Sequence, residues 1–296
     1  MIASMEAYRT PDERFVDLPD YPFPPRYLAQ DGLRMHYVEE GSGEPVLLLH
    51  GEPSWAFLYR RVIPRLAAVA RALAPDYFGF GRSDKPTRVE DYSYDFHYRS
   101  IERLADELDL RGATVVVQDW GGPIGLRLAV EHPDRVARLV VLNTGIGAGR
   151  APSPEWLRFR AFMRRVGDEI VPSQLVRLSC VHGLSDEVAL GYDAPFPTPE
   201  SKAGVVAFPE LVPTEVDHPS AVKMLEVRAA LERWEKPALV LFSDSDPIFT
   251  PAAAERMAAL IPGAGPAELV AGAGHFLQED RGEEIAERIA RFLQSG

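Results

Sequence analysis

A doubly wound α/β fold, with a mostly parallel sheet and an inserted helical cap, is the architecture this sequence predicts. Three observations predict it. Short apolar runs alternate with longer segments of helical period, the alternation stops between residue 145 and about residue 228, and one apolar run ends in an acid followed by small residues.

The runs Met35–Glu39, Pro45–His50, Arg71–Pro75, Thr114–Gln118, Ala137–Leu142, Pro237–Phe242 and Ala267–Val270 are the expected strands. The last four are rich in Val, Leu and Ala and alternate little, as expected of parallel strands buried on both faces. Between them Arg99–Leu110, Gly122–Glu131, Ala252–Leu260 and Glu283–Leu293 carry apolar residues three and four apart, the pattern of helices with one buried face. After Asn143 this rhythm breaks. From Gly145 to about Arg228 the chain is helix-like but punctuated by prolines, Pro152, Pro154, Pro172, Pro195, Pro197, Pro199, Pro209, Pro213 and Pro219 among them. An insertion between two strands is expected to sit above the carboxyl ends of the sheet, where such folds bind ligands. The expected organisation is a core over 1–144, a cap over 145–228 and the rest of the core over 229–296.

Composition narrows the function. The 296 residues are 46% hydrophobic, ample for a packed core. A net charge of −12, from 32 basic and 44 acidic residues, disfavours nucleic acid and anionic membrane surfaces as partners. The opening residues lack the charged-then-apolar layout of a leader, and no apolar run is long enough to span a bilayer. The expectation is a cytoplasmic protein, monomeric or weakly homo-oligomeric. Cys180, the single cysteine, is expected to be a small buried hydrophobe. His36, His97, His132, His182 and His218 have no metal-ligand spacing, so no metal is expected.

The chemistry is concentrated in Val115-Val116-Val117-Gln118-Asp119-Trp120-Gly121-Gly122-Pro123-Ile124-Gly125. This reads as a strand, a tight turn and a helix, the nucleophile elbow that elsewhere carries serine, with Asp119 at its apex. A carboxylate that attacks carbon forms an ester, so the implied reaction is displacement at an sp³ centre followed by ester hydrolysis. Such a reaction needs hydrogen-bond donors for developing charge, a base for water and an acid to orient the base. The backbone N–H groups of Glu52 and Trp120 are the candidate oxyanion hole. His275, in a Gly-rich loop before the last helix, is the candidate base, and Asp246, just beyond a strand, the candidate acid, with Asp244 as an acidic neighbour. Taken singly, an acid after a strand is usually a helix cap and a loop histidine usually a surface residue. Taken together, in the order nucleophile, acid, histidine, they favour catalysis. His50 is expected to make a structural hydrogen bond, and Gly79–Asp84, which lacks the ending of a phosphate loop, to form a tight turn.

His50-Gly51-Glu52-Pro53-Ser54-Trp55, Gly79-Phe80-Gly81-Arg82-Ser83-Asp84, Gln118-Asp119-Trp120-Gly121-Gly122 and Gly272-Ala273-Gly274-His275-Phe276 resemble the haloalkane dehalogenases, and the similarity runs over essentially the whole chain. The resemblance implies the α/β-hydrolase fold, Asp119 as nucleophile, His275 as base, Asp246 as acid and Trp120 as first halide ligand. It also implies a small halogenated aliphatic substrate, water as co-substrate, halide as product and no cofactor. Glu52 after His50-Gly51, with Ala194-Pro195-Phe196-Pro197, Ala203-Gly204 and Phe208-Pro209, resembles the subgroup that holds halide with a second, cap-domain tryptophan. The cap has one tryptophan, Trp156, and the best register puts Phe159 where the halide-binding Trp is expected; Trp156 lies three residues earlier on the same helical face. Phe159, Phe162, Phe196, Ile248, Phe249 and Phe276 are the expected apolar walls.

Two rivals remain. An epoxide hydrolase would need proton donors, usually two cap tyrosines, and Tyr192 is the only tyrosine after residue 145. A non-catalytic binding protein on the same fold would be expected to have lost a member of the set Asp119, Asp246 and His275, which is intact.

Overall fold

Eight strands form one sheet in a computed structural model that describes residues 5–147 and 151–295; Met1–Ser4, in the stretch read for a leader, lie outside the described residues. The strands are β1 (Arg26–Gln30), β2 (Leu33–Gly41), β3 (Pro45–Leu49), β4 (Arg71–Pro75), β5 (Ala113–Val117), β6 (Val136–Leu142), β7 (Ala238–Ser243) and β8 (Glu268–Val270). Their spatial order is β1-β2-β4-β3-β5-β6-β7-β8. The pairs β1/β2 and β2/β4 are antiparallel, and all others are parallel. Every residue of β3, β5 and β7 is buried, which is why these runs are continuously apolar.

Two strands of this sheet differ from expectation. β1 was not anticipated: most of Arg-Tyr-Leu-Ala-Gln is partly exposed on an edge strand and carries no apolar run. β8 is the opposite edge, and Glu268 and Leu269 are exposed rather than buried.

The core helices are α1 (Ile63–Ala67), α2 (Tyr94–Glu107) and α3 (Gly121–Glu131). Between β6 and β7 follow α4 (Pro154–Val166), α5 (Pro172–Ser179), α6 (Asp186–Asp193), α7 (Ala203–Leu211) and α8 (Ala221–Leu231). After β7 come α9 (Pro251–Leu260) and α10 (Leu277–Gln294), the latter interrupted by non-helical backbone at Arg281. The prolines of the insertion mostly delimit its helices. Pro154 and Pro172 occupy first-turn positions, where the missing N–H costs nothing. Ser153 and Ser185 cap α4 and α6 through Trp156 N (3.2 Å) and Val188 N (3.3 Å). α8 packs on α3, with Lys223 Nζ 3.3 Å from Glu131 Oε1. Among the described residues no helix is long and apolar enough to cross a membrane.

A buried ionic knot ties the insertion to the core. Arg60, which follows the short turn Ala56–Tyr59, makes a two-point contact with Glu279 in the first turn of α10, and Tyr192 of α6 donates its hydroxyl to the same carboxylate. Arg60 and Glu279 side chains are 1% and 3% exposed, so neither charge has water to fall back on. Glu279→Leu leaves the guanidinium uncompensated and is expected to cost about 3–5 kcal/mol. Urea unfolding measures it; a loss under about 1 kcal/mol would show that the guanidinium finds another partner.

Candidate active site

Parallel neighbours in the sheet bring their following residues to one edge. β3, β5, β6 and β7 are adjacent, so His50-Gly51-Glu52, Gln118-Asp119, Asn143-Thr144 and Asp244-Ser245-Asp246 emerge side by side, and the loop after β8 brings His275 to the same place. At the apex Asp119 adopts φ +49°, a left-handed conformation that non-glycine residues rarely take. It is held there by its N–H on Asn143 O (2.9 Å) and by Thr144 Oγ1 donating to its carbonyl. The surroundings are cut close to it. A Cβ on Gly51 would lie 2.3 Å from Asp119 Cβ, and one on Gly121 2.3 Å from Leu49 O.

The two oxygens of Asp119 have different neighbours. Oδ1 accepts from Glu52 N at 2.9 Å, while Oδ2 lies 3.6 Å from His275 Nε2, too far for a hydrogen bond. Burial pushes the Asp119 carboxyl above the usual carboxylate range, against the opposing pull of His275 and the N–H groups of Trp120 and Glu52.

His275 Nδ1 is 2.8 Å from Asp246 Oδ2, and Asp246 Oδ1 accepts from Ile248 N (2.7 Å) and Phe249 N (3.1 Å). Burial raises the Asp246 carboxyl, but His275 and these donors more than reverse it, so the group is held below its ordinary range. As a carboxylate it fixes the tautomer: Nδ1 carries the proton and Nε2 is left as acceptor. Burial lowers the His275 imidazole, and the charge and hydrogen bond of Asp246, with Asp119 behind, outweigh it, leaving the imidazole above its ordinary value. Asp244 has a different task, accepting from Gly272 N at 3.1 Å and stapling the loop that leads to His275.

Sequence reasoning missed the amides behind this set. Gln118 Nε2 lies 3.2 Å from His275 Nε2 and donates to His275 O at 3.3 Å. Asn143 Nδ2 reaches Ser243 Oγ, Gly274 O and His275 O at 2.7, 3.0 and 3.2 Å. Both follow strand ends, the one signal that could have marked them. His50 is structural: Nδ1 donates to Gly51 O (3.0 Å), Nε2 accepts from Tyr77 N (3.1 Å), and burial holds its imidazole down at about 4. Gly79–Asp84 forms tight turns, with Phe80 N on Tyr77 O and Ser83 N on Phe80 O. Burial, and secondarily Asp119, hold the Glu52 carboxyl well above the carboxylate range.

A cavity of about 540 Å³ opens over Asp119. Trp120 and His275 lie on its core side, and Trp156 and Phe159 both on its cap side, as their three-residue spacing requires. Ile248, Phe249 and Phe276 also line it. Phe162 and Phe196 do not. Phe162, about 120° around α4 from Trp156 at 100° per residue, packs elsewhere against the core under the Arg165 guanidinium. Phe196 is buried edge-on against Phe80, 6.2 Å between centroids. Cys180 departs from expectation as well: it is only partly buried and lines the cavity with Leu178 and Val181, because the chain after α5 runs along the cavity rim.

Residues 44–282 match the α/β-hydrolase fold family. A haloalkane dehalogenase of Mycolicibacterium paratuberculosis is 46% identical across 98% of this chain and 99% of its own length. One from Psychrobacter cryohalolentis is 44% identical across 98% of each. The chain belongs to the haloalkane dehalogenase family. It is therefore a hydrolase acting on carbon–halogen bonds. The tetrameric structure of haloalkane dehalogenase DpaA from Paraglaciecola agarilytica superposes with a TM-score of 0.90 and 36% identity over 96% of this chain and 97% of that one. A cis-3-alkyl-4-alkyloxetan-2-one decarboxylase of Shewanella oneidensis is more distant, at 30% identity over 92% of this dehalogenase-family chain and 89% of its own.

The close approach at Gly51 yields a direct test. Gly51→Ala displaces Asp119 and is expected to lower halide release at least about a hundredfold with the far-UV spectrum unchanged. Activity within about threefold of the parent would contradict a close approach that matters to the reaction.

Proposed function

We propose that the chain hydrolyses small haloalkanes to alcohol and halide in two steps, through an alkyl ester on Asp119. The observation that carries this reading is the asymmetric seat of the carboxylate in the cavity wall, with Oδ1 anchored by a backbone donor and Oδ2 on the side of the His275 imidazole, beyond hydrogen-bond reach of it. In the first step Oδ2 attacks the carbon that bears the halogen. The new C–O bond forms as the carbon–halogen bond breaks, and the halide leaves with the bonding pair. In a mostly apolar cavity that anion needs donors that bring no charge of their own, and indole N–H supplies them. Trp120 is the first donor. Trp156 is the second, since of the two candidates on α4, Trp156 and Phe159, it alone has a side-chain N–H; Glu52 after His50-Gly51 supports the same subgroup.

In the second step His275 takes a proton from water, and the oxygen of that water attacks Cγ of the ester. Negative charge gathers on Oδ1, beside the N–H groups of Glu52 and Trp120. Collapse expels the alcohol oxygen, which receives the proton from His275; the second proton of the water, left on the new carboxyl group, is released to solvent, and Asp119 is a carboxylate again. Asp246 steadies the imidazolium throughout. The epoxide-hydrolase alternative has no support here, because the Tyr192 hydroxyl is buried against Glu279 and does not line the cavity. Intact Asp119, Asp246 and His275 in contact argue against a binding protein without catalysis.

His275→Gln is expected to release one equivalent of bromide from 1-bromobutane and then stall, with an alkyl adduct visible by intact mass. Asp119→Asn is expected to release none. Bromide released by His275→Gln without adduct would defeat the two-step scheme. Assays beside 1,2-dibromoethane, an epoxide panel and a β-lactone scored for carbon dioxide separate the reading from its neighbours.

Losing either indole, in Trp120→Phe or Trp156→Phe, is expected to weaken bromide quenching of tryptophan fluorescence by about 1–3 kcal/mol. An unchanged response in Trp156→Phe, with tighter binding in Phe159→Trp, would leave Trp120 as the single indole donor.

Acidity gives a signed expectation. The base must be neutral, so kcat falls on the acid side as His275 is protonated. Asp119 raises the imidazole in the resting enzyme, and esterification removes that charge. The acid limb of kcat is therefore expected at lower pH than the His275 titration seen by NMR in the free enzyme; a limb at higher pH would contradict the scheme.

A further inference from the structure

All four main-chain polar groups of Gly274 and His275 are hydrogen-bonded, and half of that attachment runs through the insertion and one side chain. From the core, Asn143 Nδ2 holds both carbonyls. On the other side His275 N donates to Ser179 O at 2.8 Å, and Gly274 N donates to Asp280 Oδ2 at 2.9 Å. The same carboxylate accepts from Val181 N and His182 N, each at 2.9 Å. Asp280 thus gathers three N–H groups, two from the segment that follows α5 and one from the loop that carries His275. Hydrogen bonds to an ionised acceptor are the stronger kind, and the first turn of α10 favours a negative charge at this position.

The two segments leave no slack between them. A Cβ on Gly274 would lie 2.3 Å from Ser179 O. Ser179, Cys180 and Val181 line the cavity, so the clamped segment is also part of the substrate wall.

We propose that Asp280 is a positioning residue that locks the cap segment Ser179–His182 to the His275 loop and thereby holds the imidazole at its working distance from Asp119. Nothing in this role touches the halogenated carbon. Resting on the reading of His275 as the base of ester hydrolysis, it assigns Asp280 to the second step and leaves the first step untouched. The cap and the catalytic histidine are then one mechanical unit, and what loosens one displaces the other.

Asp280→Asn keeps the shape but replaces one acceptor oxygen with an NH₂ that must face an N–H. In single-turnover rapid quench with 1-bromobutane, bromide release is expected within about twofold of the parent, while ester hydrolysis slows at least about tenfold and the alkyl-enzyme accumulates. Val181→Pro tests the same clamp from the cap side by removing one N–H. Cys180, at φ −98° and ψ 147°, already has the conformation that a residue before proline takes. Because Val181 also lines the cavity, this variant is read by the ratio of ester hydrolysis to bromide release, which is expected to fall by a smaller factor than in Asp280→Asn, and it carries the test if Asp280→Asn does not fold. Equal slowing of both steps, or parental hydrolysis in the folded variants, overturns the proposal. His275→Gln run alongside separates the two levels. Failure of that variant to accumulate adduct removes the base reading itself, whereas adduct there and parental turnover in Asp280→Asn and Val181→Pro removes only the clamp.

Discussion

Asp119 is held in a left-handed backbone conformation at the end of β5, and the rest of the site is arranged around that constraint. For a residue with a Cβ this conformation costs about 1–2 kcal/mol, so it persists only where the surroundings over-determine it. They do so from every side. Asn143 and Thr144 grip the Asp119 main chain, α3 begins directly afterwards, and Gly51 and Gly121 give up their side chains to make room. The parallel strands β3 and β6 flank β5 and present those partners at the correct height, because their register is set by buried ladders such as Leu47 opposite Val115 and Val115 opposite Leu139.

Electrostatics follow from the same crowding. Three carboxyl groups, Glu52, Asp119 and Asp246, meet at one end of a low-dielectric cavity, and like charges so close cannot all be ionised at little cost. The structure divides the burden. Asp246 is matched by His275 and two backbone donors, Asp119 receives Glu52 N–H and lies near the imidazole, and Glu52, with no counter-charge, is pushed furthest toward its neutral form. The net effect is that Asp246, beside the histidine, is held below the ordinary carboxylate range, while Asp119 and Glu52 are held above it. The insertion closes the other side of the cavity, and its ties to the core include Tyr192 on the buried Arg60–Glu279 pair and Asp280 on the segment after α5.

Much of this was legible in the chain. Buried parallel strands write themselves as unbroken apolar runs, so β3 to β7 could be read within a residue or two. Strand ends in a parallel sheet converge, which made Glu52, Asp119 and Asp246 candidates without coordinates. Edge strands are less visible: β1 packs against one neighbour only, and its best signal was the Asp31-Gly32 turn, where φ values of 50° and 86° make a tight hairpin. Asp244 and Asp246 could not be told apart from spacing; only the direction of each side chain assigns one to the loop and the other to His275. Phe162 and Phe196 failed as wall residues for a related reason, since apolarity says that a ring is buried but not against what. Asp280 was invisible because its partners are backbone groups, which leave no trace in side-chain identity.

The central claim is that the Asp119 carboxylate itself becomes covalently attached and is then renewed by water. A single turnover with excess enzyme in ¹⁸O-labelled water, read by mass spectrometry of the alcohol and of the peptide containing Asp119, tests it most directly. Because water attacks Cγ of the ester rather than the alkyl carbon, the account predicts label in the Asp119 side chain and an unlabelled alcohol. Label in the alcohol on that first turnover, with none in Asp119, would mean that water displaces the halide directly and would contradict it.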